Sequence, residues 1–269
     1  MKLKERNGLI FYEVSSFKSH GGVVAAFSTR HGGESKPPYD SLNLGLHVGD
    51  EPESVLHNRK LFAEALMLNP QTVVCGTQVH GSEVAEVTGS DAGKGSADAA
   101  DALPGVDALA TAEPGLPLMA FFADCVPLWF YAPKQRVVGL AHAGWRGTAA
   151  KIAVKTVRFL CARWDIDPGE ILAAVGPSIG PCCYEVASEV AGAFQALSPE
   201  SPLFLQKLDQ NWRLNLWEAN RLLLVREAGL PVQNIEVAGI CTACRHDLFF
   251  SYRAEGGRTG RMGAVICLV

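Results

Sequence analysis

The sequence predicts an α/β (α+β) fold: a single-domain layered sandwich with mixed β-sheets spanning residues 1–269. Short apolar runs recur along the chain with turn residues between them, and amphipathic helical segments are interleaved among those runs. Several runs are apolar at nearly every position. The interleaving places strands and helices in layers, and the continuous apolar runs require strands covered on both faces. No internal repeat divides the chain, and 269 residues suffice for one large core.

Strands are expected at residues 9–14, 23–28, 72–79, 116–123, 126–131, 136–142, 171–175, 235–240, 249–252 and 263–269, where Val, Ile, Phe and Leu fit a pleated, buried surface. A weak helical pattern runs over 53–68 and stops at Asn69-Pro70. Over 148–164, Ala153, Val157, Leu160 and Trp164 fall on one face and Lys151, Lys155 and Arg158 on another, the spacing of an amphipathic helix. Helices are also expected at 186–197 and 216–228, the latter ended by Gly229 and Pro231. Residues 88–104, rich in Gly, Ser, Ala and Asp, read as a surface loop in preference to a lid.

Composition narrows the function. With 48% hydrophobic and 19% charged residues, a net charge of -4, a pI of about 6.0 and scattered Lys and Arg, the chain offers no nucleic-acid or membrane surface. No run reaches the ~18 apolar residues of a membrane span, and the apolar stretch at 8–12 is too short for a signal peptide. A cytoplasmic protein is expected, so its eight cysteines are read as reduced thiols.

Three separated stretches each carry one metal-ligand candidate beside Gly or Pro: His80 in Thr77-Gln78-Val79-His80-Gly81, Cys125 in Ala123-Asp124-Cys125-Val126-Pro127, and His142 in Ala141-His142-Ala143-Gly144-Trp145-Arg146-Gly147. Two imidazoles and a thiolate would leave a zinc one open position, as in catalytic sites, whereas structural sites close with four ligands. Taken singly, each His also reads as a hydrogen-bonded structural residue and Cys125 as a small buried hydrophobe. The strand-to-helix turn at 142–148 serves equally as an anion site, through Arg146 and free N–H groups, or as a tight turn needing Gly. Cys241-Thr242-Ala243-Cys244, with Cys182-Cys183 elsewhere, lacks a second CxxC pair, so buried structural thiols are preferred to a metal site or a redox pair. The Gly- and Pro-rich loop at 176–185 suits a pocket wall. The aromatic and arginine-bearing segment 249–261 reads as a strand and hairpin or as a nucleoside pocket.

In order along the chain, Phe27-Ser28-Thr29-Arg30-His31-Gly32-Gly33, Ser41-Leu42-Asn43-Leu44-Gly45, the three ligand-bearing stretches, Ile179-Gly180-Pro181-Cys182-Cys183-Tyr184-Glu185-Val186 and Asp247-Leu248-Phe249-Phe250-Ser251-Tyr252-Arg253 resemble the bacterial laccase-domain family. It is also called the polyphenol oxidase or YfiH-like family and includes purine nucleoside phosphorylases. Only residues 34–38 depart from its usual pattern. The resemblance implies one zinc, with copper as the alternative, on His80, Cys125 and His142. It implies phosphorolysis of adenosine, inosine and S-methyl-5'-thioadenosine, with adenosine deamination as a further activity. The catalytic candidates are therefore His80, Cys125 and His142, and the substrate and phosphate candidates Arg146, Asn43, Arg59 and Gln78. Partners would be purine nucleosides and phosphate, acting on a monomer or small homo-oligomer. Two other readings remain: a cysteine hydrolase or amidase editing cell-wall precursors, with Cys125 attacking and His142 or His80 as base, and a non-enzymatic metal- or thiol-binding module. Multicopper oxidation is disfavoured, because seven scattered histidines do not supply a copper cluster.

Overall fold

Along the strand Met262–Leu268, alternate side chains join different cores: Met262, Ala264, Ile266 and Leu268 enter a cluster of 23 buried residues, Val265 and Cys267 another of 16. Alternation in Val126–Ala132 likewise sends Trp129 and Tyr131 to the 23-residue cluster but Leu128, Phe130 and Ala132 to a third, of 31. Strands buried on both faces lie between layers. In the computed structural model, which describes residues 1–269, two six-stranded sheets stack around the 23-residue core, with helices outside.

The first sheet runs Lys2–Arg6, Leu9–Glu13, Val23–Ser28, Met262–Leu268, Leu118–Phe122, Val74–Cys75, and only the last pair is parallel. The second runs Ile235–Val237, Leu172–Val175, Val126–Ala132, Val137–Ala143, Ala108–Thr111, Val84–Glu86, parallel at both edges and antiparallel between. Trp129 Nε1 donates to the Val265 carbonyl at 3.0 Å, linking the sheets through the core. Helix Pro52–Ala65 covers the first sheet through Phe62, packed edge-on against Phe11. Helices Ile152–Trp164 and Leu216–Arg226 bury Val157, Leu160, Leu223 and Leu224 in the 31-residue core. Truncating Leu160, fully buried there, to Ala would cost about 2–5 kcal/mol through lost contacts and a cavity. A small sheet orders Glu185–Val186, Trp212–Leu214 and Leu205–Lys207.

Mixed sheets and interleaved helices match the expected fold, and several elements differ from expectation for identifiable reasons. The strand expected at 72–79 is only Val74–Cys75; beyond it Gln78 and His80 adopt φ of 46° and 60°, because the Asp107 carboxylate takes the N–H groups of Val79, His80 and Gly81. The helix expected at 148–164 breaks at Lys151 (φ 61°) into Trp145–Ala149 and Ile152–Trp164. Residues 249–252 form no strand: the Phe249 N–H donates to the Arg245 carbonyl and that of Ser251 to Glu255, while both Phe rings plug the central core. Residues 88–104 are a surface loop, as expected, and a tethered one, since Cys75 N–H donates to the Lys94 carbonyl, Leu103 N–H to the Cys75 carbonyl, and Arg59 to the Gly95 and Ser96 carbonyls. No helix is long and apolar enough to cross a membrane.

Candidate metal and substrate site

Antiparallel register sets Val126 opposite Ala143 and Pro127 opposite His142, so Cys125, immediately before one strand, lies beside His142 on its neighbour. The loop that Asp107 captures brings in His80. Ligand atoms of His80, Cys125 and His142 lie within 4.8 Å of one another, and the two imidazole centroids are 4.9 Å apart. The cluster is packed closely enough that any side chain at Gly144 would press on it. A Cβ there would stand 3.0 Å from Cys125 Sγ and 3.2 Å from His80 Cδ2.

Asp107 organises this cluster. It is 3% exposed, accepts the N–H groups of Val79, His80 and Gly81 at 3.0, 3.0 and 2.7 Å, and pairs with His142 Nδ1 at 2.9 Å. Burial alone would raise its carboxyl, but the bonds from His142 and Gly81 outweigh burial and hold it below the usual carboxylate range. Burial would likewise push the Cys125 thiol up, yet His142 and then His80 bring it down to about 6. Burial opposes protonation of His142, but Cys125 and Asp107 raise it to about 9. Each group thus favours the charged form of the other, the thiolate of Cys125 and the imidazolium of His142. The donor set fits a zinc ion: two imidazoles and one readily ionised thiol make three ligands, and a carboxylate on His142 Nδ1 leaves Nε2 to face the metal.

A cavity of about 650 Å³, lined in part by these ligands, falls in the size range of small-molecule sites. Phe121, Trp145, Tyr184 and Tyr252 give it aromatic walls, and Arg59, Arg146, Arg253 and Arg261 make it locally basic on a chain of net charge -4. Arg146 is exposed, and its guanidinium lies 4.4 Å over the Trp145 ring without a protein hydrogen-bond partner. Arg253 Nη1 donates to the Glu185 carbonyl and Arg261 Nη1 to those of Thr259 and Gly260. Burial, followed by Arg261 and Arg59, lowers the His47 pKa to about 4, leaving a neutral imidazole in the pocket.

The sequence candidates divide. His80, Cys125, His142, Arg59, Gln78 and Arg146 all line the cavity. Arg59 spends Nε on the Leu44 carbonyl and Nη1 on those of Gly95 and Ser96, and Gln78 spends its amide on both backbone groups of Phe121. Asn43 is not brought to the cavity wall. It is fully buried, accepting the N–H groups of Gly45 and Arg261 and donating to Asp50, so it supports the Arg261 segment from behind. The anion site expected at a long helix start is also weakened, because that helix is the five-residue Trp145–Ala149. Asp107 and Asp124 were not singled out by sequence. Asp124 is 8% exposed and accepts from Thr242, Ser251 and the Arg253 N–H. No local pattern marks Asp107, whose partners lie 26–35 residues away; Asp124, next to Cys125, had only adjacency as a signal.

Residues 24–269 match the family described as multi-copper polyphenol oxidoreductase laccase. The purine nucleoside phosphorylase YlmD of Geobacillus stearothermophilus is 50% identical over 247 residues, 91% of this chain and 90% of that protein. The purine nucleoside phosphorylase YfiH of Escherichia coli K12 is 39% identical over 250 residues, 92% of this chain and 95% of that one. The crystal structure of YlmD from Geobacillus stearothermophilus superposes with a TM-score of 0.93 at 47% identity, covering 98% of this chain and 97% of that one.

Proposed function

The chain belongs to the multi-copper polyphenol oxidoreductase laccase family, and on that premise we propose that it is a zinc-dependent purine nucleoside phosphorylase. Its substrates would be adenosine, inosine and S-methyl-5'-thioadenosine, with adenosine deamination as a second reaction. The names of its relatives support the phosphorolysis. The observation that carries it is the ligand trio His80, Cys125 and His142, braced by Asp107, inside an aromatic cavity lined by arginines.

In phosphorolysis a phosphate oxygen bonds to the sugar C1', the bond from C1' to the purine nitrogen breaks, and the base leaves with a proton. Arg146, unpartnered in the protein, binds the phosphate; each charge-assisted bond to it contributes about 1.5–3 kcal/mol. Arg253 and Arg261 keep the pocket basic, and the Phe121 and Tyr252 rings offer apolar faces to the purine. Asp107 fixes the ring orientation of His142. Arg59 and Gln78 position the wall through backbone bonds. His80, Cys125 and His142 would hold the zinc, or copper as the alternative, which would supply Lewis-acid chemistry there. In deamination water adds at the purine C6 and ammonia departs.

The test is incubation of metal-replete protein with each nucleoside, with and without phosphate, followed by chromatography. Release of free base only with phosphate supports the reading; base released equally without it, or none at all, rejects it. Inosine formed from adenosine reports deamination. One observation favours a second reading: Cys125, His142 and Asp107 also form the chain of contacts of a cysteine hydrolase, with a thiol brought to about 6. A chelator that spares turnover, or a covalent acyl adduct on Cys125, would place that reading first.

A further inference from the structure

Seven of the eight cysteines lie outside the His80, Cys125 and His142 trio, and four of them stand together. The sulfurs of Cys182, Cys183, Cys241 and Cys244 all lie within 4.8 Å of one another, with Cys244 Sγ 3.4 Å from both Cys182 Sγ and Cys183 Sγ. Two loops bring them together. Ser178 pairs with Cys241 in a parallel bridge, the Ser178 N–H donating to the Ile240 carbonyl and the Thr242 N–H to the Ser178 carbonyl. All four thiols are free. The sequence-based preference for buried structural thiols fails here, because Cys182 and Cys244 are exposed and only Cys241 is buried.

We propose that these four thiolates hold a structural zinc ion, closed to substrate, that clips the 176–185 loop to the 241–244 loop and so fixes one wall of the substrate cavity. A tetrahedral site with zinc–sulfur bonds of about 2.3 Å needs sulfurs about 3.8 Å apart, within reach of the spacing found. The missing second CxxC pair is supplied by the adjacent Cys182 and Cys183. Cys241 Sγ also accepts two backbone N–H groups, from Gly180 at 3.2 Å and Cys244 at 3.5 Å, which stabilise a thiolate and fix its direction. An all-sulfur set of four selects a soft or borderline cation and leaves no position open. On binding, each thiol releases a proton to solvent and no sulfur changes oxidation state.

The clip has a structural consequence for the cavity. Ile179 and Tyr184, which flank Cys182 and Cys183, both line it. Thr242, between the other two cysteines, donates to Asp124 at 2.6 Å, the residue preceding Cys125. Loss of the ion would loosen that wall without removing any ligand of the first site.

Elemental analysis of the purified chain under reducing conditions decides it. Wild type should carry two zinc ions per chain, Cys182→Ser/Cys244→Ser one, and Cys125→Ala one. Unchanged zinc in the double variant, a wild type with a single zinc that Cys125→Ala removes, or disulfides among the four cysteines in the intact mass would overturn the proposal. Should the double variant fail to fold, cobalt-substituted wild type provides the second readout. Its spectrum must contain the strong charge-transfer and red-shifted bands of an all-sulfur tetrahedron beside those of a mixed nitrogen and sulfur site. Absence of the all-sulfur bands would overturn it equally. None of these readouts depends on turnover.

Discussion

Two cysteine-bearing clusters flank the same cavity and are built on opposite rules. The first mixes two imidazoles with one thiol, braces an imidazole with a buried carboxylate, and contributes its ligands to the cavity lining. The second has four thiols, no carboxylate brace and two N–H groups on one sulfur, and none of its cysteines lines the cavity. Ligand number and access separate chemistry from architecture: three ligands facing a cavity leave a position for reaction, and four close the ion off.

Substitution within each cluster breaks or confirms that division. Cys125→Ala or His142→Ala should lower phosphorolysis about a thousandfold, since a catalytic metal supplies several kcal/mol of transition-state stabilisation. Cys182→Ser/Cys244→Ser should leave kcat within the same order of magnitude and act mainly on KM and melting temperature. Equal losses in steady-state assays of the two sets would erase the distinction. Asp107→Asn sharpens it further, because only the first cluster has such a brace. Zinc affinity at that site should fall about 10–100-fold, read by competition with a chelating dye, with the second site unaffected. A smaller effect belongs to Arg146→Ala: apparent phosphate affinity should weaken about tenfold or more, as loss of a contact contributing ~1.5–3 kcal/mol requires, with nucleoside affinity little changed. If phosphate saturation is unaltered, Arg146 is only part of the turn.

The mildest test uses pH and the metal-stripped protein. His142 and His80 lower the Cys125 thiol to about 6 against burial, so its alkylation by iodoacetamide should rise as pH passes through 6, where an ordinary thiol would wait until about 9. With zinc bound, alkylation should be slow throughout, because the coordinated sulfur is shielded. Fast modification with zinc in place would favour the cysteine hydrolase.

Sequence resolved best those elements whose environment is local. The strands expected at 126–131 and 136–142 appear as Val126–Ala132 and Val137–Ala143, since burial on both faces writes a continuous apolar run. That His80, Cys125 and His142 stand together was legible through the family resemblance, since no local spacing joins the three stretches. What sequence missed depends on distant partners. His80 leaves the sheet because Asp107, 27 residues on, captures its N–H. Lys2–Arg6 is an exposed, highly charged edge strand without apolar alternation, so no pattern announced it. The four cysteines were named together but set aside as a site, because their meeting depends on a parallel bridge between Ser178 and Cys241, 63 positions apart in number.

Phosphate is expected to attack the nucleoside at the His80, Cys125 and His142 site. Phosphorus-31 NMR of zinc-replete protein with inosine and inorganic phosphate tests it most directly. A sugar phosphate resonance should grow in step with released hypoxanthine for the wild type and be nearly absent for Cys125→Ala. Base released without any new phosphate ester, or an undiminished ester signal from Cys125→Ala, would contradict it.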